Sequence, residues 1–465
     1  MFTGEDGRSL LFTFILVSSL FLLWGFCNGM IDVMDKHFQE ELSLTKSQSA
    51  WVQFAHYLGY FLMSIPAGWL ASRFGYKGGI ISGLLLVAVG GFWFIPATHI
   101  GEMARAGTVS ATSGFVAFLA GVCIIASGLT FLETIANPYT TVLGDKRFAA
   151  TRINLAQSCN GVGWIFGPIV GSMFFYSKDA LGRSTGSQTL YIPYVGIAAG
   201  VLLLAVIFWL VPMPDIKTED DYHLDDPGES TTHSIWRHPH FVLAVLAQFL
   251  YVAAQAGIFS FFINYMTSEV PPIPAAWSDS FNRIAPHAGI LQGWLQGWIE
   301  TDTHGLLAFS NKGASNLASL GFLCFLIGRF TGAALLKRFS VHRMLGVYGA
   351  CNVLVTLLVF FKLGWLSVAC VFLSYFFMSI MFPTIFALGI HGLGARAKKA
   401  SSYIVMAIMG GALLPKLMGY VAGRFDMSRG FIVPMFCFAF VAFYGFNWPR
   451  FSKTKSMSSI ETGYF

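Results

Sequence analysis

The chain has 465 residues, of which 55% are hydrophobic and only 11% charged, and its mean hydropathy is +0.63. A soluble protein of this length is less apolar, whereas spanning helices let such a chain satisfy its own backbone hydrogen bonds in lipid. The net charge of +6 comes from Lys and Arg scattered through short connecting segments with no aromatic–basic patch, which argues against nucleic-acid binding.

Apolar runs of about 20 residues mark membrane spans, and twelve are expected: 10–34, 48–71, 78–98, 113–138, 151–176, 190–212, 240–267, 313–336, 344–362, 364–391, 400–423 and 430–448. The first begins near Leu10 with no small-residue cleavage signature, so it reads as a retained span and not a signal peptide. After the sixth span, residues 213–239 carry Asp215, Glu219, Asp220, Asp221, Asp225, Asp226 and Glu229 against only Lys217 and Arg237. This acidic linker divides the chain into an N-terminal six-helix half, 1–212, and a C-terminal six-helix half, 240–465. The segment 269–312, with Pro271, Pro272, Pro274, Trp277, Trp294 and Trp298, reads as an outer loop with short interfacial helices. Lys and Arg are denser in the segments that share a side with the termini, which predicts both termini in the cytoplasm. The fold class expected is therefore an all-α membrane protein of twelve transmembrane helices in two pseudo-symmetric halves.

The two halves look like a weak internal repeat. Phe131-Leu-Glu-Thr-Ile-Ala-Asn-Pro138 with Gly144 pairs with Phe376-Phe-Met-Ser-Ile-Met-Phe-Pro383 with Gly389, and Gly161 pairs with Gly410. Repeated halves are how many secondary transporters build a midplane site that faces each side in turn, with Pro138 and Pro383 permitting helix bends.

Charges inside the spans are few and carry the chemistry. Glu133 is the single charge between Arg105 and Asp145, and nothing charged separates Arg8 from Asp32. An ionised side chain in the bilayer costs roughly 2.5–3.5 kcal/mol on insertion scales, so each acid is a functional-site candidate. A carboxyl group in low-dielectric surroundings disfavours its charged form, which lets it load a proton on one side and release it on the other. Asp32 is expected as the main proton carrier and Glu133 as an acceptor of substrate hydrogen bonds coupled to it, with the roles exchangeable. Met378 stands where the second half would match Glu133, so proton chemistry is expected in the first half. Asp35 and Lys36 read as outer-rim residues.

Helical spacing collects the neutral polar groups into stripes. Trp24, Asn28, Asp32 and Asp35 share a face of span one; Gln53, His56 and Tyr60 one of span two; Glu133 and Asn137 one of span four. Asn154, Gln157 and Gly161 line span five, and Gln248, Tyr251, Gln255 and Phe259 line span seven. Amides and carboxylates that pair hydroxyls, with an aromatic face for the apolar side of a ring, are what a sugar requires. Trp24, Asn28, Gln157, Asn160, Tyr251 and Gln255 supply that set, with Gln53, His56, Asn137 and Phe259 beside them and Tyr375, Phe382, Tyr403 and Met406 as a softer wall. Taken singly, each amide reads equally as an interhelical hydrogen bond worth about 0.6 kcal/mol. His56 is either a modulator of the proton step or a satisfied polar contact. Lys416 either snorkels or pairs with an acid.

Gly68-x4-Arg73-x-Gly75-x-Lys77 resembles the inner-loop signature of the major facilitator superfamily, with Ser72 where an acid is usual. More specifically the chain resembles the fucose permease group, the fucose–galactose–glucose:proton symporters. The matching stretches are Leu23-Trp-Gly-Phe-Cys-Asn-Gly-Met-Ile-Asp32 with Phe38-Gln39, Leu132-Glu-Thr-Ile-Ala-Asn-Pro138 with Val142-Leu-Gly144, and Asn154-Leu-Ala-Gln157 with Asn160. In the second half they are Ala247-Gln-Phe-Leu-Tyr251 with Gln255, Ile327-Gly-Arg-Phe-Thr-Gly332 and Phe382-Pro-Thr-Ile-Phe386. The resemblance implies proton-coupled uptake of a monosaccharide, L-fucose or glucose/galactose-like, by alternating access, and it maps the family's two membrane acids onto Asp32 and Glu133. His56 stands where the pattern is aromatic, Phe259 where tryptophan is expected and Lys416 where an apolar residue is usual, which leaves the sugar open.

Gly68, Arg73, Gly75 and Lys77 are expected to form a cytoplasmic latch through helix-end contacts, or to express positive-inside topology alone. Arg329 is expected to be structural, anchoring a loop with the Arg338 region. A sugar or polyol uniporter and a non-transporting sugar sensor signalling through the acidic linker are the alternatives. No nucleophile–base pair or metal cluster is visible, so no enzyme and no cofactor are expected. The seven cysteines, Cys27, Cys123, Cys159, Cys324, Cys351, Cys370 and Cys437, read as small core residues without disulfides. The partners expected are a small-molecule sugar, the proton and the lipid bilayer of an inner (plasma) membrane, and a monomer suffices.

Overall fold

The computed structural model describes residues 2, 9–41, 44–143, 149–176, 189–213, 235–284, 297–301, 305–336, 338–391, 393 and 397–452. Most of the expected acidic linker, 214–234, and parts of the 269–312 segment, 285–296 and 302–304, lie outside the described residues.

The first half contains α1 (Leu11–Glu41), the single-turn α2 (Lys46–Ser49), α3 (Trp51–Arg105), α4 (Ala111–Val142), α5 (Ala149–Phe175) and α6 (Tyr191–Leu210). In the second half come α7 (Pro239–Ser260), α8 (Phe262–Ser268), α9 (Ala275–Ile284), α10 (Asn311–Leu336) and α11 (Val341–Phe360). They are followed by α12 (Trp365–Met378), α13 (Met381–Ile390), α14 (Ala397–Met406), α15 (Gly410–Arg424), α16 (Met427–Gly430) and α17 (Ile432–Ser452). Ten stretches are long and apolar enough to cross a membrane. Residues 51–74 of α3 and α5 complete a set of twelve that matches the expected spans. An even number of crossings leaves Leu11 and Ser452 on one side, and the opposite side is called the far side below.

Several expectations change in detail. The first span runs seven residues beyond its expected end at 34, to Glu41. Spans two and three have no loop between them: α3 is interrupted at Gly75 alone, whose φ of 71° is open to a residue without a Cβ. Span ten is two rods, α12 and α13, broken at Ser379 and Ile380. Pro383 explains the position, because it lacks the N–H that would bond the carbonyl of Ser379 and its ring crowds that turn. Span seven likewise breaks at Phe261, and span eleven passes through a 3-10 turn at Ala407–Met409. In 269–312 the structure has a helix as expected, α9, and also a two-stranded hairpin, β1 (Ile299–Thr301) antiparallel to β2 (Leu307–Phe309), that the proline- and tryptophan-rich sequence did not suggest.

Caps fix the helix starts. Thr45 and Gln48 form a reciprocal capping box at α2, Ser110 accepts from the Ser113 amide at α4, and Asp426 from the Arg429 amide at 2.9 Å. Small residues bring helices close: a Cβ at Gly163 would lie 2.2 Å from the Leu22 carbonyl oxygen, so α5 meets the backbone of α1 only with glycine there. Aromatics fill the interior, with Phe94 and Tyr194 stacked at 3.9 Å. Large apolar side chains such as Leu203, Trp209, Phe330 and Phe436 lie exposed on the outside of the bundle, as a lipid-facing surface requires.

At the far side, Lys362 lies 3.1 Å from both Glu269 and Asp426, and Glu269 accepts from the Met427 amide at 2.9 Å and the Ser428 hydroxyl at 3.1 Å. Partial burial pulls the Lys362 ammonium down, but the two carboxylates outweigh it and hold the group above the ordinary lysine range.

Candidate functional site

The stripe on α1 faces inward. Asn28 and Asp32 are 6% exposed and Asp35 1%, while Trp24 is half-buried. Gln53 on α3 donates its amide to Asp32 Oδ1 at 2.8 Å, and the Trp24 indole donates to the Tyr60 hydroxyl. Asn28 also reaches Tyr60. His56 is buried with its ring 5.0 Å from those of Tyr57 and Tyr60. Glu133 is half-buried on α4. Tyr57 lies within electrostatic reach of Asp32, Tyr251 and Glu133, and Tyr60 within that of Glu133. The two acids therefore both bear on Tyr57.

The amides of α5 divide. Gln157 is half-buried, whereas Asn160 is buried and donates to the Phe21 carbonyl at 3.3 Å, which makes it a bond between α5 and α1. The side chains of Asn137 and Asn154 lie outside those described.

From the second half, α7 brings Gln248, Tyr251, Gln255 and Phe259. Tyr251 is fully buried and donates its hydroxyl to the Met378 carbonyl at 3.0 Å, beside the α12–α13 break. Phe259 stacks on Tyr375 at 4.6 Å and meets Phe322 and, from the first half, Trp164 edge-on at 4.9 and 5.6 Å. Gln255 is half-buried. Phe382 stands 6.4 Å from Tyr251 as expected, but Tyr403 packs on Trp236 at 4.9 Å, toward the terminal side and away from this wall.

Several buried polar atoms here have no protein hydrogen-bond partner. They include Asn28 Oδ1, Asp32 Oδ2, His56 Nδ1, both side-chain atoms of Gln248, Arg329 Nε and the Tyr375 hydroxyl. Native interiors hold few such atoms, and each calls for an explanation. Asp32 acts electrostatically on Tyr375 across the halves, and Arg329 on Tyr251. The constellation is thus one buried polar cluster between the halves, called the chamber below, to which α1, α3, α4, α7, α10 and α12 contribute.

The residues expected at the gate make separate contacts. Lys77 donates to the Trp209 and Val211 carbonyls at 2.8 and 2.9 Å, capping the end of α6 within its own half. Arg73 lies over the rings of Trp69 and Phe74 at 5.4 and 5.8 Å, and Arg338 is exposed. Gly68 falls inside α3 and Gly75 forms its kink. Arg329 does not anchor a loop with Arg338: it lies 5.0 Å over Phe325 and faces Tyr251, so it belongs to the chamber. The Lys416 ammonium lies 3.8 Å over the Trp51 ring, α15 against α3, a partner the sequence did not suggest.

Asp35 corrects the sequence reading most. Far from the rim, it accepts a hydrogen bond from Ser260 at the end of α7, and Ser49 of α2 also bonds it. Ser172 donates to Asn316 at 2.8 Å and Ser315 to the Pro168 carbonyl at 2.9 Å, joining α5 to α10 toward the same side. Together with Lys416 on Trp51, these contacts bring the two halves together at the far side. Sequence reasoning also missed Trp164, although it sits one turn from Asn160, and Tyr57 beside His56.

A fold of two six-helix halves around a buried polar chamber defines a membrane transporter of the alternating-access kind. The sequence matches the Major Facilitator Superfamily profile over residues 10–413, and the chain belongs to that family. It is 34% identical to the L-fucose-proton symporter of Escherichia coli, over 94% of this chain and 93% of the relative. It is 30% identical to a glucose/galactose transporter of Brucella abortus, over 93% of each. The crystal structure of the major facilitator transporter FucP in the outward conformation superposes with a TM-score of 0.64 at 33% identity, covering 95% of this chain and 99% of that one.

Proposed function

We propose that this protein takes up a monosaccharide together with a proton, in the manner its relatives' names describe, with L-fucose or a glucose/galactose-like sugar as the substrate. The observation that carries the reading is the pair Asp32 and Glu133, on different helices and both within electrostatic reach of Tyr57. Asp32 carries the proton, and its hydrogen bond from Gln53 fixes the carboxyl group whichever charge it bears. Glu133, Asn28, Gln53, His56, Asn137, Gln157 and Gln255 pair with sugar hydroxyls, while Trp24, Tyr251 and Phe259 flank the ring. Asn160 serves this set indirectly, by holding α5 on α1. In the second half Arg329 and the aromatic cluster form the neutral or cationic wall against which the acids work.

The protein sits in the cell's inner (plasma) membrane as a monomer, with both termini and the acidic linker in the cytoplasm, and it catalyses no chemical conversion. On this orientation the far side is the exterior. Gly68, Arg73, Gly75, Lys77 and Arg338 then lie at the cytoplasmic mouth, where Lys77 keeps α3 and α6 moving as one body.

The deciding experiment is uptake by proteoliposomes under an imposed pH gradient, with labelled fucose, galactose, glucose and mannose. Accumulation above the external concentration supports symport. Equilibration alone would replace it with uniport, and binding without flux with a sensor.

A further inference from the structure

Asp32 and Asp35 lie one helical turn apart on α1, both buried, and each keeps one carboxylate oxygen without a protein partner. Residues at this spacing are neighbours on one helix face, and Asp35 acts electrostatically on Asp32. The symport reading uses Asp32 and leaves Asp35 unexplained. Two adjacent buried carboxylates are hard to ionise together, so the charge state of one governs the other.

Their surroundings differ in one respect that matters. Asp32 is tied to Gln53 inside its own half, whereas Asp35 is tied by Ser260 to the other half and by Ser49 to the turn before α3. Few other ionisable groups face the pair. Lys36 follows on the same helix, Tyr57 faces Asp32 from α3 and Tyr375 from α12, and His56 lies next to Tyr57. His37 turns instead to Phe175 and Tyr176. Neither α7 beyond His240 nor α8 carries a charged side chain. The Lys46 side chain of α2 lies outside those described.

We propose that Asp35 is a second coupling residue of the transport cycle: its hydrogen bonds to Ser260 and Ser49 hold the far side shut, and the proton on Asp32 permits that hold. The inference rests on the symport reading. With Asp32 protonated, Asp35 is the lone carboxylate of the pair, and the two hydroxyls suffice to receive it when the halves meet. Once Asp32 releases its proton to the terminal side, a second anion stands one turn away, and the buried arrangement gives way to one in which Asp35 meets water. The far side reopens, empty and ready to reload. A proton lost on one face of the membrane is thus read as a movement at the other.

The test follows far-side opening directly. Spin labels at Thr108→Cys and Leu363→Cys, both exposed at far-side turns of opposite halves, are placed in full-length protein whose seven native cysteines are replaced. Distances are measured in lipid nanodiscs between pH 5.5 and pH 8.5. In the otherwise unaltered chain the open-to-closed ratio should rise about ten-fold with pH, and in Asp35→Asn by less than about two-fold, while sugar exchange across vesicles persists. Ser260→Ala should open the far side at low pH while exchange persists. An Asp35→Asn ratio that follows pH undiminished would overturn the inference alone, since a merely structural Asp35 would shift the ratio and leave its pH response. So would a Ser260→Ala protein as closed at low pH as its parent. A parent with no pH response and no proton-driven accumulation overturns the symport reading as well.

Discussion

The two halves share a scaffold and divide the chemistry. In the first, α1 and α4 place Asp32, Asp35 and Glu133 among amides and tyrosine hydroxyls; in the second, the chamber wall is Tyr251, Phe259, Phe322, Phe325 and Tyr375, with Arg329 as its charge. The correspondence of Glu133 with Met378 shows how this arises. One position of the repeat keeps a carboxylate, and its counterpart is a fully buried thioether whose backbone carbonyl takes the Tyr251 hydroxyl. On the proposed symport, a duplicated fold need not duplicate its mechanism: one half answers to protons while the other presents surface to a sugar ring.

The strongest way to break this division is Asp32→Asn. Proton-driven accumulation should fall by about a hundred-fold or more while sugar exchange at equal pH survives, because the amide keeps the contact with Gln53 but cannot cycle a proton. Unaltered sugar-induced alkalinisation outside the vesicles would reassign the carrier. Glu133→Gln should weaken sugar binding about ten-fold, some 1.4 kcal/mol, as read by calorimetry on purified protein. If Arg329→Met weakened coupling as much as Asp32→Asn, the division itself would be wrong.

Smaller effects sharpen the picture in the second half. Tyr251→Phe leaves the Met378 carbonyl unpaired in the interior, a loss of about 1–3 kcal/mol, visible as a lowered melting temperature with transport still proton-driven. Removing the Trp51 ring beneath Lys416, as Trp51→Leu, should cost about 0.5–1 kcal/mol and shift the distance distribution at the far side slightly toward open.

Least of all, Lys362→Met should lower the melting temperature modestly at neutral pH. The folded lysine is held above its unfolded value, so its contribution is complete below about pH 10 and is lost as pH rises through the raised value. The parent and variant melting curves should converge at strongly alkaline pH.

Long apolar runs made the helices legible, and each of the twelve expected spans overlaps a helix, although the first runs past its expected end and spans two and three are continuous. The stripe on α1 was legible for the same reason, since four polar side chains at helical spacing have one face to share. Asp35 was not. The expected span ended at residue 34, before an acid and a lysine that look like a boundary, and Ser260, more than two hundred residues away, is what shows why Asp35 lies buried in a helix that runs on to Glu41. Interruptions were hidden for a related reason: Pro383 announced a bend, but Tyr251, which donates to the Met378 carbonyl beside it, lies on another helix. Arg329 was misread because a lone cation near a span's end resembles a loop anchor until the aromatic rings around it are known. Lys416 resisted reading since its partner, a tryptophan of the other half, bears no charge.

The break between α12 and α13 has a consequence for selectivity. The rod is severed at Ser379 and its two pieces are held separately: the Tyr251 hydroxyl ties the end of α12, and the Trp448 indole ties α13 at the Leu388 carbonyl. On the proposed symport, the acids and amides of the first half then sort the cargo by its hydroxyls, while the wall opposite is built from two independently anchored pieces.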